Sequence, residues 1–369
     1  MQVKYSYLEE QFANPHPIFD EIAKLVRTTD YTLGRPVEEF EKKFAKLIGT
    51  QYAVGVNSGT DALFLSLKAI GVGPGDEVIT APNTFIATVG AIVAAGARPV
   101  FVDVLDDYTI NPALIERAIT PKTKALMPVH YAGHPADMPV IMAIAEHYKV
   151  LVIEDACQAI SAAIDNRCVG MYGITGGFSL HPLKNLNVWG DGGIIVTNSE
   201  EIRDKLILLR NHGLQNRDEV QIFGYNSRLD SLQAVVGNYL MNDLEDITAT
   251  RIKWAHTLDA GLADLKDYIT IPERKPNRRY VYHLYMVMVK ERDKLLAYLL
   301  KHGIEAKVHY PIPLHLQQAA RYLGYKEGDF PITEAQAKSI LTLPVHQHLR
   351  PEQIDYMIEI IHNFYSELK

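Results

Sequence analysis

Gly177-Phe-Ser-Leu-His-Pro-Leu-Lys184-Asn-Leu-Asn-Val-Trp-Gly-Asp-Gly-Gly193 sets one lysine in a short turn bounded by proline and glycine. The flanking runs, Gly176-Phe-Ser-Leu180 and Gly193-Ile-Ile-Val-Thr197, have the apolar character of strands. Upstream, Val150-Leu-Val-Ile-Glu-Asp155 reads as a buried strand ending in a carboxylate. A lysine held in such a turn can form a Schiff base with a carbonyl cofactor. A carboxylate at the carboxyl end of a central strand lies where ligands sit in open α/β sheets. An amine to hold an aldehyde and an acid to pair with a pyridinium are what pyridoxal phosphate asks of a protein. Taken singly, Asp155 reads more simply as a cap of the following turn. A solvated surface position is the usual fate of lysine, but the setting of Lys184 between Pro182 and the Gly190-Asp-Gly-Gly193 turn disfavours it.

Outward from the lysine turn, strands alternate with helices. Strands are expected at 52–56, 77–80, 98–103, 125–129 and 150–154. Helices are expected at 16–29, 36–48, 61–70, 84–95, 138–147 and 200–211. Pro36 suits a first helical turn and Gly49 a stop. Such alternation implies an α/β fold with a mostly parallel sheet covered on both faces. Beyond about residue 245 the alternation ceases. A helical stretch over 228–265 leads to strand candidates at 279–289 and 304–308, then helices at 291–302 and 351–368. The expectation is a large domain over 1–245 and a smaller α+β domain over 246–369.

Other segments carry chemistry around the lysine. Asn57-Ser58-Gly59-Thr60-Asp61 joins a strand to a helix, which aims free backbone N–H groups at an anion. By itself this segment reads more simply as a capped helix start. Gln158, three residues after Asp155, would reach the phenolic oxygen of a pyridoxal ring. Phe85 opens a helix at the sheet edge and would stack on a flat ring, although core packing is the default for phenylalanine. Tyr310-Pro-Ile-Pro-Leu-His315 is a stiff loop suited to a substrate-facing lip or to a rigid connector.

The bulk numbers agree with a globular enzyme. The chain has 369 residues, 47% hydrophobic and 22% charged, with a net charge of −7. That charge, with no Lys/Arg-rich run, argues against nucleic acid as a partner. The longest apolar stretch, residues 86–97, is too short to span a bilayer. Met1-Gln-Val-Lys-Tyr-Ser lacks a basic-then-apolar leader, so a cytoplasmic location is expected. Cys157 and Cys168 are too few for a disulfide framework or zinc cluster and read as two reduced thiols.

Together these segments resemble the DegT/StrS-type sugar aminotransferases, PLP-dependent enzymes of fold type I. The resemblance runs from about Asp30 to the C-terminus. It rests on Leu33-Gly-Arg-Pro-Val-Glu-Glu-Phe40, Gly55-Val-Asn-Ser-Gly-Thr-Asp-Ala-Leu63, Gly73-Pro-Gly-Asp-Glu-Val78, Glu154-Asp-Ala-Cys-Gln158, Phe178-Ser-Leu-His-Pro-Leu-Lys184-Asn, Gly190-Asp-Gly-Gly193, Arg210-Asn-His-Gly213 and Gly224-Tyr-Asn-Ser-Arg-Leu-Asp-Ser-Leu-Gln-Ala234. It implies a seven-stranded, mostly parallel sheet and a smaller C-terminal domain.

The resemblance also implies roles. Lys184 would be the Schiff-base lysine. Asp155 would bind the pyridine nitrogen, and Gln158 would lie by the ring oxygen. Ser58, Gly59, Thr60 and Ser179 would hold the phosphate, and Phe85 would cover the ring. Asn226 would reach the cofactor of a neighbouring subunit, making a homodimer part of the active site. Members with histidine in place of the lysine act as dehydratases, so Lys184 favours transamination. His134 stands where glutamine is more usual, and Leu183 where a small residue or threonine is common. The loop Tyr310-Pro-Ile-Pro-Leu-His315-Leu-Gln is similar to that of 3-ketosugar aminotransferases. The implied substrates are an amino acid, by family habit L-glutamate, and a nucleotide-linked 3-keto-hexose, with His181, Tyr310 and His315 toward the sugar. A 4-ketosugar or cyclitol substrate is the alternative. A non-catalytic PLP-binding sensor is an alternative of another class.

Overall fold

Residues 1–368 are described by a computed structural model of the chain. Seven strands form the main sheet: β1 Tyr52–Val56, β2 Glu77–Thr80, β3 Arg98–Phe101, β4 Thr123–Leu126, β5 Leu151–Asp155, β6 Thr175–Ser179 and β7 Gly193–Thr197. Their order is β1-β7-β6-β5-β4-β2-β3. Pairs β2–β3, β2–β4, β4–β5 and β5–β6 are parallel. Strand β7 runs antiparallel to both its neighbours. The expected mostly parallel sheet is therefore present, and β6 and β7 flank the lysine turn as an antiparallel pair.

The helices follow from their apolar spacing. In Arg35–Ile48, Val37, Phe40, Phe44 and Ile48 are all buried and fall on one face at three- and four-residue intervals. Pro36 stands in its first turn, and Gly49 ends it in the left-handed region at φ +87°. This face packs with Phe178 and Ile194 of the sheet and with Ala234 and Leu240 of the helix Ser231–Leu240.

A second, smaller core lies on a three-stranded antiparallel sheet of β8 Ile269–Thr270, β9 Tyr285–Val289 and β10 Ile340–Leu343, in the order β8-β9-β10. The helices Leu244–Gly261, Arg292–Lys301 and Pro351–Glu367 cover it, and Val3 from the N-terminus joins its interior. This is the smaller α+β domain.

Two expected strands differ. The run 279–289 is strand only from Tyr285: Arg278–Arg279 pairs instead with Ala163–Ile164, and Tyr282 takes a positive φ of 45°, which interrupts the extended path. The run 304–308 makes only single bridges, Ile304 to Val3 and Lys307 to Thr342, because its backbone is divided between two partners. Among the described residues, no helix is long and apolar enough to cross a membrane. Both cysteines are free.

Candidate active site

One cavity of about 310 Å³ opens at the carboxyl ends of the parallel strands. Ser58, Gly59, Thr60, Phe85, Asp155, Gln158, Ser179, His181, Lys184 and Tyr310 all line it. Ten of the residues singled out in the sequence thus meet in one place.

The lysine turn is fastened from several directions. Its backbone closes with Lys184 N–H donating to the His181 carbonyl at 2.8 Å. The Lys184 carbonyl accepts from the Tyr7 hydroxyl and from Asn187 Nδ2, each at 3.0 Å. Asn185 Nδ2 donates to the Val281 carbonyl at 2.8 Å. The amine itself lies 3.3 Å from His283 Nε2. Burial lowers the Lys184 pKa, while Cys157 and Asp155 oppose the shift. Burial and Asp155 hold the Cys157 thiol well above its usual range, so it stays protonated.

Asp155 ends β5, where its backbone pairs with Gly177 of β6. Its Oδ2 accepts from Thr88 Oγ1 at 2.6 Å and its Oδ1 from the Cys157 N–H at 3.1 Å. Thr84 Oγ1 lies 2.8 Å from Thr88 Oγ1 and extends the chain of hydroxyls. The carboxylate is 4% exposed and has no salt-bridge partner among the described residues. Its two oxygens are thus held in a fixed orientation in the cavity wall. Gln158 is fixed by its Oε1, which accepts from the Ala132 N–H at 2.7 Å. Burial pushes the Tyr310 hydroxyl up to about 12, partly offset by a hydrogen bond with Gln158.

At the phosphate segment, Ser58 caps the helix Gly59–Ala69, its Oγ accepting from Asp61 N–H at 3.1 Å. This satisfies one first-turn donor and leaves the N–H groups of Gly59 and Thr60 without intrahelical acceptors. A Cβ on Gly59 would stand 2.6 Å from Ser179 Cβ and 3.1 Å from Cys157 Sγ. The glycine therefore lets the helix start close against β6 and leaves a cradle open to an anion. Phe85 is half exposed, with its ring centroid 5.9 Å from that of Tyr310.

Two expected site residues lie elsewhere. His315 is 1% exposed and turned away from the cavity: Nε2 meets Glu334 Oε1 at 3.0 Å, and its ring packs on Phe330. Asn226 is exposed outside the cavity of its own chain and bridges to Asn211 through the backbone. The cavity also gathers residues that sequence reasoning passed over: Tyr5, Thr84, Thr88, Asp191, His283 and His309. Tyr5 and His283 lack a local signal, since only the tertiary fold carries them to Lys184. Thr88 had one, standing three residues after Phe85 on the first turns of a helix. Among the described residues no group of ligating side chains suits a metal ion.

The sheet order, the C-terminal α+β domain and a lysine that lines one cavity with a strand-end aspartate define a PLP-dependent transferase of fold type I. The chain belongs to the DegT/DnrJ/EryC1/StrS aminotransferase family, whose model matches residues 15–362. It is 42% identical over 369 residues to the "Pleiotropic regulatory protein" of Geobacillus stearothermophilus, covering 99% of each chain. It is 40% identical over 341 residues to the dTDP-3-amino-3,4,6-trideoxy-α-D-glucose transaminase of Streptomyces venezuelae, covering 92% of this chain and 90% of that one. DesV of S. venezuelae, solved in complex with a ketimine intermediate, superposes with a TM-score of 0.95 at 38% identity over 98% of both chains. Solved relatives hold pyridoxamine or pyridoxal phosphate. The cofactor is pyridoxal 5′-phosphate, and the oriented Asp155 carboxylate, the Lys184 amine and the open cradle at Gly59 suit it.

Proposed function

We propose that this protein transfers an amino group from an amino acid, L-glutamate, to a nucleotide-linked 3-keto-hexose. The observation that carries this reading is the single cavity in which a pKa-lowered lysine faces a buried, hydroxyl-oriented aspartate beside an open helix start. When bound, the cofactor withdraws electrons from the carbon beside the reacting nitrogen and stores the amino group between substrates. Asp155 would pair with the pyridine nitrogen, held in place by Thr88. Gln158 would serve the ring oxygen, and Phe85 would lie on the ring. The Gly59 and Thr60 N–H groups, with the Ser58 and Ser179 hydroxyls, would take the phosphate. Lys184, freed from the cofactor, would carry the proton between the two carbons, a task its lowered pKa favours. His181 and Tyr310, at the cavity wall, would face the sugar.

Asn226 would complete the site of a second subunit. Its exposed position, beside the apolar and exposed Val220, Ile222 and Phe223, supports a homodimeric interface there. Two free thiols and a nucleotide-activated substrate support a cytoplasmic enzyme. The carbon-3 assignment is supported by the 3-amino product named for the Streptomyces relative.

The test begins with the pyridoxamine form of the purified protein, mixed with a panel of nucleotide 3- and 4-ketosugars. Return of the visible absorbance with 3-ketosugars is expected. Return with 4-ketosugars alone would reassign the carbon. The regulatory name of the Geobacillus relative supports a second reading, a PLP-binding sensor without turnover. That protein would keep its visible absorbance when L-glutamate is added.

A further inference from the structure

His283 sits between the interrupted run at Tyr282 and strand β9, 99 residues from the lysine it touches. Its Nε2 lies 3.3 Å from Lys184 Nζ, and its Nδ1 is buried with no partner. Lys184 on the lysine turn, His181 on the same turn, His309 on the loop before Tyr310 and Arg251 on the helix Leu244–Gly261 all act on it. Tyr5 and Tyr7 of the N-terminal segment share with it a small adjoining cavity. Arg251 is 1% exposed, donates to the carbonyls of Tyr282 at 3.2 Å and Val345 at 2.9 Å, and has no carboxylate within 4 Å among the described residues. Burial, followed by Lys184 and Arg251, holds the His283 pKa well below its usual range.

We propose that His283 is the positioning residue of Lys184, its Nε2 accepting one N–H of the lysine nitrogen and fixing the direction in which that nitrogen faces the cavity. A neutral imidazole has a lone pair on one nitrogen only. Acceptance at Nε2 therefore places the proton on Nδ1. A charged imidazole has no lone pair to offer, so the surrounding positive groups keep the acceptor in working form. With one N–H tied, the lone pair of the neutral amine has fewer directions open to it. The inference rests on the Schiff-base role given to Lys184 above, but not on the identity of either substrate.

The test uses full-length protein reconstituted with pyridoxamine phosphate, in which Lys184 is free. Lys184 is labelled with trace acetic anhydride across a pH series and quantified in its peptide by mass spectrometry. Losing a neutral acceptor destabilises the ammonium form, so His283→Phe should move the labelling midpoint down by about one pH unit. His283→Gln places an amide near the Nε2 position and should restore the midpoint. His283→Asn places its amide near Nδ1 and should not. An unchanged midpoint in His283→Phe overturns the proposal. Equal behaviour of the Gln and Asn variants also overturns it, and that comparison decides if the Phe variant does not fold. No ketosugar is used, so a wrong substrate assignment leaves this result unaffected.

Discussion

Thr88 Oγ1 donates to Asp155 Oδ2 at 2.6 Å and holds the buried carboxylate from behind. Hydrogen bonds to charged groups contribute roughly 1.5–3 kcal/mol. Thr88→Val keeps the shape and removes the donor. Its dissociation constant for pyridoxal phosphate should rise at least about tenfold, as measured by equilibrium dialysis. Thr84→Val should do less, because Thr84 acts through Thr88. Wild-type affinity in Thr88→Val would remove Thr88 from the cofactor's support.

Lys184→Ala would remove the group proposed above as both covalent anchor and proton carrier. The half-reaction with L-glutamate, followed by loss of visible absorbance in stopped flow, should slow by at least the ~100- to 10,000-fold typical of general acid–base groups. Wild-type rates would place the chemistry on another residue.

Gly59→Ala forces a methyl to within 2.6 Å of Ser179 Cβ. Overpacking of this kind costs about 1–3 kcal/mol. Both the thermal midpoint and the phosphate affinity should fall. Ser179→Gly in the same chain should recover the thermal midpoint but not the full affinity, since the hydroxyl is lost as well. If Gly59→Ala matches the wild type in both measurements, the close approach is not needed.

His346 is 4% exposed and pairs with the Lys4 carbonyl at 3.1 Å. Burial, helped by Arg251, lowers its pKa to about 3. The unfolded chain therefore binds the proton first. The stability carried by neutral His346 is complete above about pH 6.5 and is lost as pH falls toward 3, by up to ~1.4 kcal/mol per pH unit. Urea titrations at pH 7 and 5 should show a smaller loss in His346→Gln than in the wild type. Equal losses would mean that His346 does not set this dependence.

His315 holds Glu334 rather than facing the cavity. His315→Ala should lower the thermal midpoint while leaving KM for either substrate within about twofold, because the Glu334 carboxylate loses a buried partner. A tenfold rise in KM at an unchanged midpoint would return His315 to the substrate site.

Local pattern made the main sheet and its helices legible. The Val37–Phe40–Phe44–Ile48 spacing, the Pro36 and Gly49 signals and the strand ending at Asp155 each depend on neighbours within a few residues. The run 279–289 misled because its composition suits a strand throughout. A positive φ at Tyr282 and a partner at Ala163–Ile164 divide it, and neither can be read from composition.

By itself the sequence determined the lysine turn, the strand-end aspartate and the capped helix at Ser58. Short-range hydrogen bonds and apolar periodicity suffice for these, and their order along the chain carries the family resemblance. Only the tertiary structure decided what surrounds the Lys184 amine. Tyr5, Thr88, His283 and His309 come from segments far apart in the chain, and their meeting depends on the sheet order and on the second domain closing over the strand ends. The same packing placed His315 on Glu334, although its loop reaches the cavity at Tyr310. Proximity along the chain predicts contact within a turn. Contact across a cavity depends on how two cores pack, and no short stretch of residues encodes that.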